Sequence, residues 1–392
     1  MTPQLASASL REPVDTLEAV RALAPRIREV STAIERERRL PAWVVQALKE
    51  VGVIRMPMPR AWGGPELDPL RQLEVVEELS RADSAVGWCA MIGSDGGYYS
   101  AFLEDSVGRQ LYRDLDHVTA GLLSPVGRAE AVPGGYRVSG HWSFGSGCQH
   151  AELLVGGVMV FHEGNPRLDD SGVPEWRIAY LPRERCEILD TWHTMGLRGT
   201  GSHDYLATDV FVPAEHTFSF QEPPRRGGPL YALRGMFMSN MPGVPLGIAR
   251  AALDYVTVLA TEKLVGPGMH PMRAEPRVQA AMAQAAAIVG SARAYMVDTL
   301  GELWRTLCAG DLPSQRQQAT YRLAVLHAFR ASRDAVQIMY DTVGGSAFYM
   351  RSPLERHLRD VQTASQHITA QLKTYEPVGR MLLGLEPGMS LF

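Results

Sequence analysis

Between residues 14 and about 36 the apolar side chains fall at Leu17, Val20, Ala24, Ile27, Val30 and Ile34. That three-and-four spacing predicts a helix with one buried stripe. Helical patterning returns over 42–51, 69–81 and 86–102, the first two runs being separated by the Pro/Gly punctuation MPMPRAWGGPELDP, which predicts a turn-rich connection. From about 117 to 213 the pattern changes to short, β-branched or alternating runs: VTAGLLS, GYRVSGHWSF, AELLVGGVMVF, EWRIAYLP and DYLATDVFVP. Gly, Pro and Asp clusters divide them, as expected of strands in a small β-domain. After the linker QEPPRRGGP, helical spacing predicts four long helices over 242–264, 276–307, 314–343 and 353–383. On the last of these, Leu354, Leu358, Val361, Ser365, Ile368, Leu372 and Tyr375 form the expected packing stripe, with His367 at its flank. The fold class read from this order is α+β, with an N-terminal helical domain (1–116), a central β-domain (117–220) and a C-terminal four-helix bundle (235–392).

Composition narrows the function classes. At 392 residues and 45% hydrophobic content, the chain is long enough for two or three packed regions. With 39 basic against 43 acidic residues and no basic run, no nucleic-acid footprint is present. Cys89, Cys148, Cys186 and Cys308 are widely spaced, which suggests neither a zinc knuckle nor a redox pair and fits a reducing cytoplasm. The N-terminal residues show no basic start followed by an apolar core, and no run of ~18 apolar residues appears, so a soluble protein without membrane association is expected.

Standard catalytic signatures are missing. There is no GxGxxG after a strand and no GxxxxGK[ST], so neither a nicotinamide fold nor a P-loop is indicated. His162-Glu163 starts an HExxH-like string, but Pro166 stands where the second histidine belongs, and no metal site is expected. Ser146 lies in Gly-Ser-Gly without the GxSxG of a hydrolase elbow. What stands out is the segment 140–151, GHWSFGSGCQHA, an aromatic strand ending in glycines and hydroxyls. A planar cofactor needs such an aromatic wall, a hydroxyl for a ring nitrogen, and glycines that let backbone approach.

This segment resembles the flavin-contacting strand of the acyl-CoA dehydrogenase superfamily, and its W-x-F-x-S-G form is that of the monooxygenase branch. The resemblance implies that Phe144 and Ser146 lie against the flavin, with Ala151 opening the next strand, and that LLSPVG places Leu123 and Ser124 over the ring. The string TWHTMGLRGTGSHDY resembles the second flavin-side loop, implying Trp192, Arg198, Thr200 and Ser202. Arg273 matches the arginine that reaches the cofactor of a neighbouring subunit. YDTVGGSAFYMRSPLERHLRD matches a Gly-Gly pair, Gly344 and Gly345, followed by the entry into the last long helix. The resemblance covers about 17 to 383.

A dehydrogenase needs a carboxylate to take the substrate's α-proton. The two positions that hold it in the family carry Ile368, beside His367, and Ala249. Glu376 is nine residues beyond His367 and on a continuous helix faces elsewhere. Oxygenating relatives carry a histidine at this place, and an imidazole with a near-neutral pKa suits deprotonation of a phenol or amine. The implied enzyme is the oxygenase component of a two-component flavin-dependent monooxygenase. It takes reduced flavin, FMN ahead of FAD, from a separate NAD(P)H:flavin reductase and, with O2, oxidises a small organic substrate through a flavin C4a-hydroperoxide. His367 is the expected base, and Ser146 the hydroxyl near flavin N5. Ser94, Asp95 and Tyr98 are expected to face the substrate, because the early helix lacks the second histidine found in some relatives. A phenol, a polyketide-like aromatic, an amino sugar and a thioether all remain open as substrates. So do two other readings, an acyl-CoA dehydrogenase or oxidase and a catalytically silent flavin-binding protein. The resemblance also implies a homotetramer or homodimer.

Overall fold

The computed structural model describes residues 15–169 and 172–388; residues 1–14, on which the reading of the N-terminus rests, lie outside them. Helix α1 (Thr16–Glu37) begins where Asp15 accepts the amides of Leu17 and Glu18, a side-chain cap for otherwise unpaired helix donors. It is followed by α2 (Ala42–Glu50) and α3 (Pro69–Ala82). The run expected as one helix over 86–102 is instead three pieces: α4 (Ser84–Gly93), capped by Asp83, then α5 (Gly96–Tyr99) and a 3-10 turn at Ser100–Phe102. The bend lets Gly97 lie against the Pro57 backbone, where a Cβ would come within 2.5 Å. Helix α6 (Asp105–Leu111) completes the first region.

The β-domain contains β1 (Thr119–Val132), β2 (Gly135–Gly145), β3 (Leu153–His162), β4 (Asn165–Pro166), β5 (Trp176–Leu181), β6 (Glu187–Leu189), β7 (His203–Pro213) and β8 (Thr217–Phe218). They form one sheet in the order β6-β7-β2-β1-β3-β5-β8, with β4 paired to β3. Only β1 and β3 run parallel among these pairs. Val138, Trp142, Val158 and Val160 on one face belong to the same buried apolar cluster as Leu17 and Ile27 of α1 and Val44 and Leu48 of α2.

The bundle is built from α7 (Gly243–Glu262), α8 (Pro276–Cys308), α9 (Gln315–Val343) and α10 (Pro353–Ala364), with a small hairpin of β9 (Leu264–Val265) and β10 (His270–Pro271) between the first two. Helix α7 is long and apolar enough to pass for a membrane span. Its apolar side chains are buried against α3, α9 and α10, which makes it the core helix of the bundle. Glu77 on α3, 1% exposed, receives Arg250 of α7 and Arg293 of α8 at 2.9 Å each. A buried carboxylate persists only when paired in this way, and the triad ties the first region to the bundle.

The fourth long helix is shorter than its pattern predicts. It stops at Ala364 and gives way to 3-10 turns at Ile368–Ala370 and Leu372–Thr374 and a separate α11 (Tyr375–Leu382). Ile368, Leu372 and Tyr375, expected in the packing stripe, are exposed by 59%, 59% and 39%. The chain turns at Ser365–His367, where the Ser365 hydroxyl donates back to the Val361 carbonyl at 2.7 Å, a bond that competes with helix continuation.

Candidate active site

A cavity of about 670 Å3 lies where the α4–α5 bend, the ends of β1 and β2, the 192–202 loop, the segment before α7 and the chain after α10 meet. Its size is that of a site for a cofactor-sized ligand.

The wall is made by β2. Trp142 points into the sheet core, fully buried, donating Nε1–H to the Gly157 carbonyl at 2.8 Å and stacking on Tyr205 at 5.5 Å. Phe144, two residues on, would follow it inward by strand alternation. Its φ of +62° and the register shift between Trp142 and Gly145 turn it outward instead, so it stands 63% exposed on the cavity lining. Above it, β1 bulges between Leu122 and Gly127. The Leu123–Ser124 backbone folds over Gly157, where a Cβ would meet the two carbonyl oxygens at 2.2 and 2.4 Å. The indole of Trp192 meets Phe144 edge-on at 6.3 Å and donates to the Leu197 carbonyl at 3.0 Å. His203 orients this loop: its Nδ1 accepts the amides of Thr191 and Trp192 at 3.2 Å each, and burial lowers its pKa from the ordinary value, favouring the neutral acceptor form.

Ser146 sits in a chain of hydrogen bonds. Trp88 Nε1–H donates to its Oγ at 3.0 Å, Ser202 Oγ lies 2.7 Å away, and Thr200 Oγ1 lies 2.6 Å from Ser202 and donates to the Leu197 carbonyl at 2.8 Å. Leu197 has a left-handed φ of +51° and is held by the carboxylate of Asp360 on α10, which takes its N–H at 2.7 Å and the Ser84 hydroxyl.

The same Trp88 reaches the other expected residue, its ring standing edge-on to His367 at 5.7 Å. Burial lowers the His367 pKa to about 4, so the imidazole is neutral at pH 7. Its Nδ1 is turned to Thr369, 2.9 Å from the hydroxyl, and that hydroxyl also meets Met241 Sδ at 3.1 Å. Nδ1 faces two groups of Thr369, the hydroxyl at 2.9 Å and the backbone N–H at 3.4 Å; with its hydrogen given to the nearer hydroxyl, which donates on to Met241, Nε2 is left with a lone pair for a ligand.

Among the described residues Asp95 is the one carboxylate on the lining. It is 3% exposed, accepts the Tyr99 hydroxyl at 3.0 Å, and is pushed by burial well above the usual carboxylate range. Neither Ala249, buried in the bundle, nor Ile368 supplies an acid.

Of the residues expected from sequence, the cavity brings together Phe144, Ser146, Leu123, Ser124, Trp192, Ser202, Asp95 and His367. Thr200 is behind it, acting through Ser202. Ser94 and Tyr98 do not line it: the α4–α5 bend turns Ser94 onto the Met91 carbonyl and Tyr98 onto Gln72, and presents Tyr99 instead. Arg198 lies with Glu35, Asp83 and Asp360 behind the loop. Arg273, exposed ahead of α8, and Gly344 and Gly345, exposed at the end of α9, are outside this cavity. Sequence reasoning missed Trp88, and also Phe237, Met238 and Met241, which fall in RGMFMSNMPG just after the linker. The density of methionine and phenylalanine there was the available signal, since a solvated connection has no use for it.

Two family models match the chain: the acyl-CoA dehydrogenase N-terminal domain over residues 12–103 and the acyl-CoA dehydrogenase C-terminal domain over 241–372. An indole-3-acetate monooxygenase of Pseudomonas putida is 32% identical over 355 residues, covering 90% of each chain. The oxygenase component of an FADH2-dependent resorcinol hydroxylase from a Rhizobium species is 30% identical over 94% of each. The crystal structure of the HsaA monooxygenase from M. tuberculosis superposes with a TM-score of 0.86 at 26% identity, covering 96% of this chain and 99% of that one. The chain belongs to the acyl-CoA dehydrogenase family, and within it to the flavin-dependent monooxygenases.

Proposed function

We propose that this protein is the oxygenase component of a two-component system that hydroxylates a small aromatic substrate, with His367 as the base and Ser146 as the flavin-facing hydroxyl. The observation that carries the reading is Trp88, which bonds Ser146 on one side and packs on His367 on the other, so that both open on one cavity. The residues fit a flavin: an aromatic wall at Phe144 and Trp192, a backbone bulge at Leu123–Ser124, and a hydroxyl with acceptor capacity left over. Reduced flavin supplies the electrons with which dioxygen is activated, one oxygen atom going to the substrate and the other to water. The protein's part is to exclude bulk water from a lining of Met91, Phe237, Met238 and Met241, and to take the proton released by the substrate at His367 Nε2. A neutral imidazole is the state able to do so, although burial lowers its pKa to about 4 and makes it a weaker base than the near-neutral imidazole expected from the sequence.

The named relatives act on indole-3-acetate and resorcinol, which supports an aromatic substrate carrying a ring N–H or O–H. Asp95, at the Tyr99 side of the cavity, is the group proposed to meet its polar end. FMN and FAD share the ring system the wall would contact, and the resorcinol hydroxylase is FADH2-dependent by name, so binding is tested with both. A separate reductase is proposed as the source of reduced flavin. Exposed apolar side chains late in the chain, Met350, Leu382 and Leu383 among them, support association through the bundle.

The test supplies reduced flavin through any competent flavin reductase, with 18O2 and a panel of phenols and indoles. Single-oxygen incorporation into a product is the expected result. For His367→Ala, flavin affinity holds while product per flavin oxidised falls at least tenfold and peroxide release rises. An unchanged yield removes His367 from the mechanism, and no incorporation across the panel overturns the aromatic-hydroxylase reading.

A further inference from the structure

The protons in the Ser146 chain can be assigned one by one. The Leu197 carbonyl only accepts, so the Thr200 hydroxyl gives it its hydrogen at 2.8 Å and meets Ser202, 2.6 Å away, as acceptor. The Ser202 hydrogen is thereby committed to Thr200, and Ser202 accepts from Ser146 at 2.7 Å. Trp88 Nε1 is a donor only, and it occupies Ser146 from the other side at 3.0 Å. What remains on Ser146 Oγ, facing the cavity, is a lone pair with no hydrogen to offer.

We propose that Ser202 and Thr200 are specificity-determining residues: they fix the hydrogen-bond polarity of Ser146 so that the site selects reduced over oxidised flavin. This rests on the reading that Ser146 faces the flavin N5 atom. Reduced flavin carries a hydrogen on N5, and oxidised flavin presents a bare lone pair. With reduced flavin the chain keeps its four bonds and N5–H adds a fifth. To donate to oxidised N5, Ser146 must be re-supplied by Ser202, and Ser202 by Thr200, which abandons the Leu197 carbonyl. Four bonds result, one fewer. A missing hydrogen bond of this kind corresponds to about tenfold in affinity.

Variants differ in the number of hydrogen bonds that each redox state of the flavin retains. In Ser202→Ala the Ser146 hydrogen is released and turns to N5 freely, and the two redox states reach equal numbers of bonds. Thr200→Val gives the same parity, because Ser202 is then free to donate to Ser146. Trp88→Phe removes one bond from both states and leaves the preference intact, and Ser202→Thr restores it.

The experiment measures Kd for oxidised FMN and FAD in air and for the reduced forms anaerobically, by flavin and tryptophan fluorescence, with circular dichroism to verify folding. The ratio of oxidised to reduced Kd is expected to fall about tenfold in Ser202→Ala and in Thr200→Val, whichever of the two folds well enough to assay. It should stay within about twofold of wild type in Trp88→Phe and Ser202→Thr. The midpoint potential of bound flavin should drop in parallel, by ~30 mV per tenfold for a two-electron couple. Tight wild-type binding with an unchanged ratio in both Ser202→Ala and Thr200→Val overturns the relay while leaving the flavin site standing. Failure of the wild type to bind flavin in either state overturns the flavin reading, and the relay with it.

Discussion

At Phe144 the backbone adopts φ +62°, a region that a phenylalanine enters only when its surroundings compel it. The compulsion is local: Trp142 fills the sheet core among Gly127, Gly140 and Gly156, whose added Cβ atoms would lie 2.4–2.6 Å from its ring, and no room is left for a second large ring on that face. Gly157 completes the arrangement from below by letting the Leu123–Ser124 backbone descend onto it. Gly157→Ala should therefore lift the bulge, at a cost of about 1–3 kcal/mol, and weaken flavin binding because that backbone forms part of the wall. Calorimetry and a flavin titration check it, and unchanged values in both would mean that the bulge is not held by Gly157. Thr369 is the other residue whose worth is a matter of one atom. Thr369→Val removes the acceptor for His367 Nδ1–H and leaves only the backbone amide, 3.4 Å from Nδ1, which favours the tautomer with hydrogen on Nε2 and no lone pair toward the ligand. Product per flavin oxidised should fall severalfold with flavin affinity unaltered. A yield equal to wild type would show that Nδ1 needs no acceptor there.

At the scale of elements, the break after α10 decides where His367 goes. Helical spacing alone places His367 on the flank of a continuous helix, and the same assumption dismissed Glu376 by counting turns. The chain in fact leaves the helix at Ala364, and Glu376 is exposed on α11. No glycine or proline marks the break; a serine bonding back to its own helix and an imidazole turned onto the Thr369 hydroxyl of the next turn do so, signals too local for a periodicity to register. The position of His367 was legible because a family motif supplied it, and the backbone that carries it was not. Asp360 shows the complementary case. The Arg-Asp pair was readable as a motif, but its work, holding the left-handed Leu197 and through it the Thr200 end of the Ser146 chain, needs two elements 163 residues apart to meet. Burial raises the Asp360 pKa to about 6. A carboxyl raised from ~3.9 binds its proton more tightly in the folded state. Its stabilising contribution is therefore full below that unfolded value and is lost as pH rises through about 6. Asp360→Asn keeps an acceptor for Leu197 and cannot titrate, so the stability difference between wild type and variant should change between pH 4 and 7 by on the order of 2–3 kcal/mol, the variant gaining at the higher pH. Asp360→Ala, which strands Leu197 N–H and the Ser84 hydroxyl, should cost about 2–4 kcal/mol at any pH. A pH-independent difference for Asp360→Asn would mean that Asp360 does not titrate in this range.

In the whole molecule, the order of helices, sheet and bundle was legible because each layer has its own hydrophobic period, and each is long enough for that period to repeat. The cavity was only half legible, since it forms where six separate segments converge and two of them, the α4–α5 bend and the segment before α7, carry no motif. One property belongs to no single layer. His150 in the turn between β2 and β3, His357 within α10 and His367 beyond it are each half-buried, and desolvation lowers their pKa values to about 4, about 3 and about 4. Histidines depressed below their unfolded value near 6.5 stabilise the fold fully above that pH, and that stabilisation is lost as pH falls through 4. Asp360 acts in the opposite sense over an overlapping window, but three sites outweigh one. The Tm should thus decline from pH 7.5 to pH 4.5 by on the order of 5 °C or more, and His357→Gln should shallow the decline without touching the cavity. Since His357 lies on the helix that positions Asp360, loss of bound flavin should accompany the melting of α10 and not precede it. Thermal scans read by far-UV circular dichroism and by flavin fluorescence across that pH range check the order, and flavin release well below the first loss of helix would show that acid acts on the cavity directly.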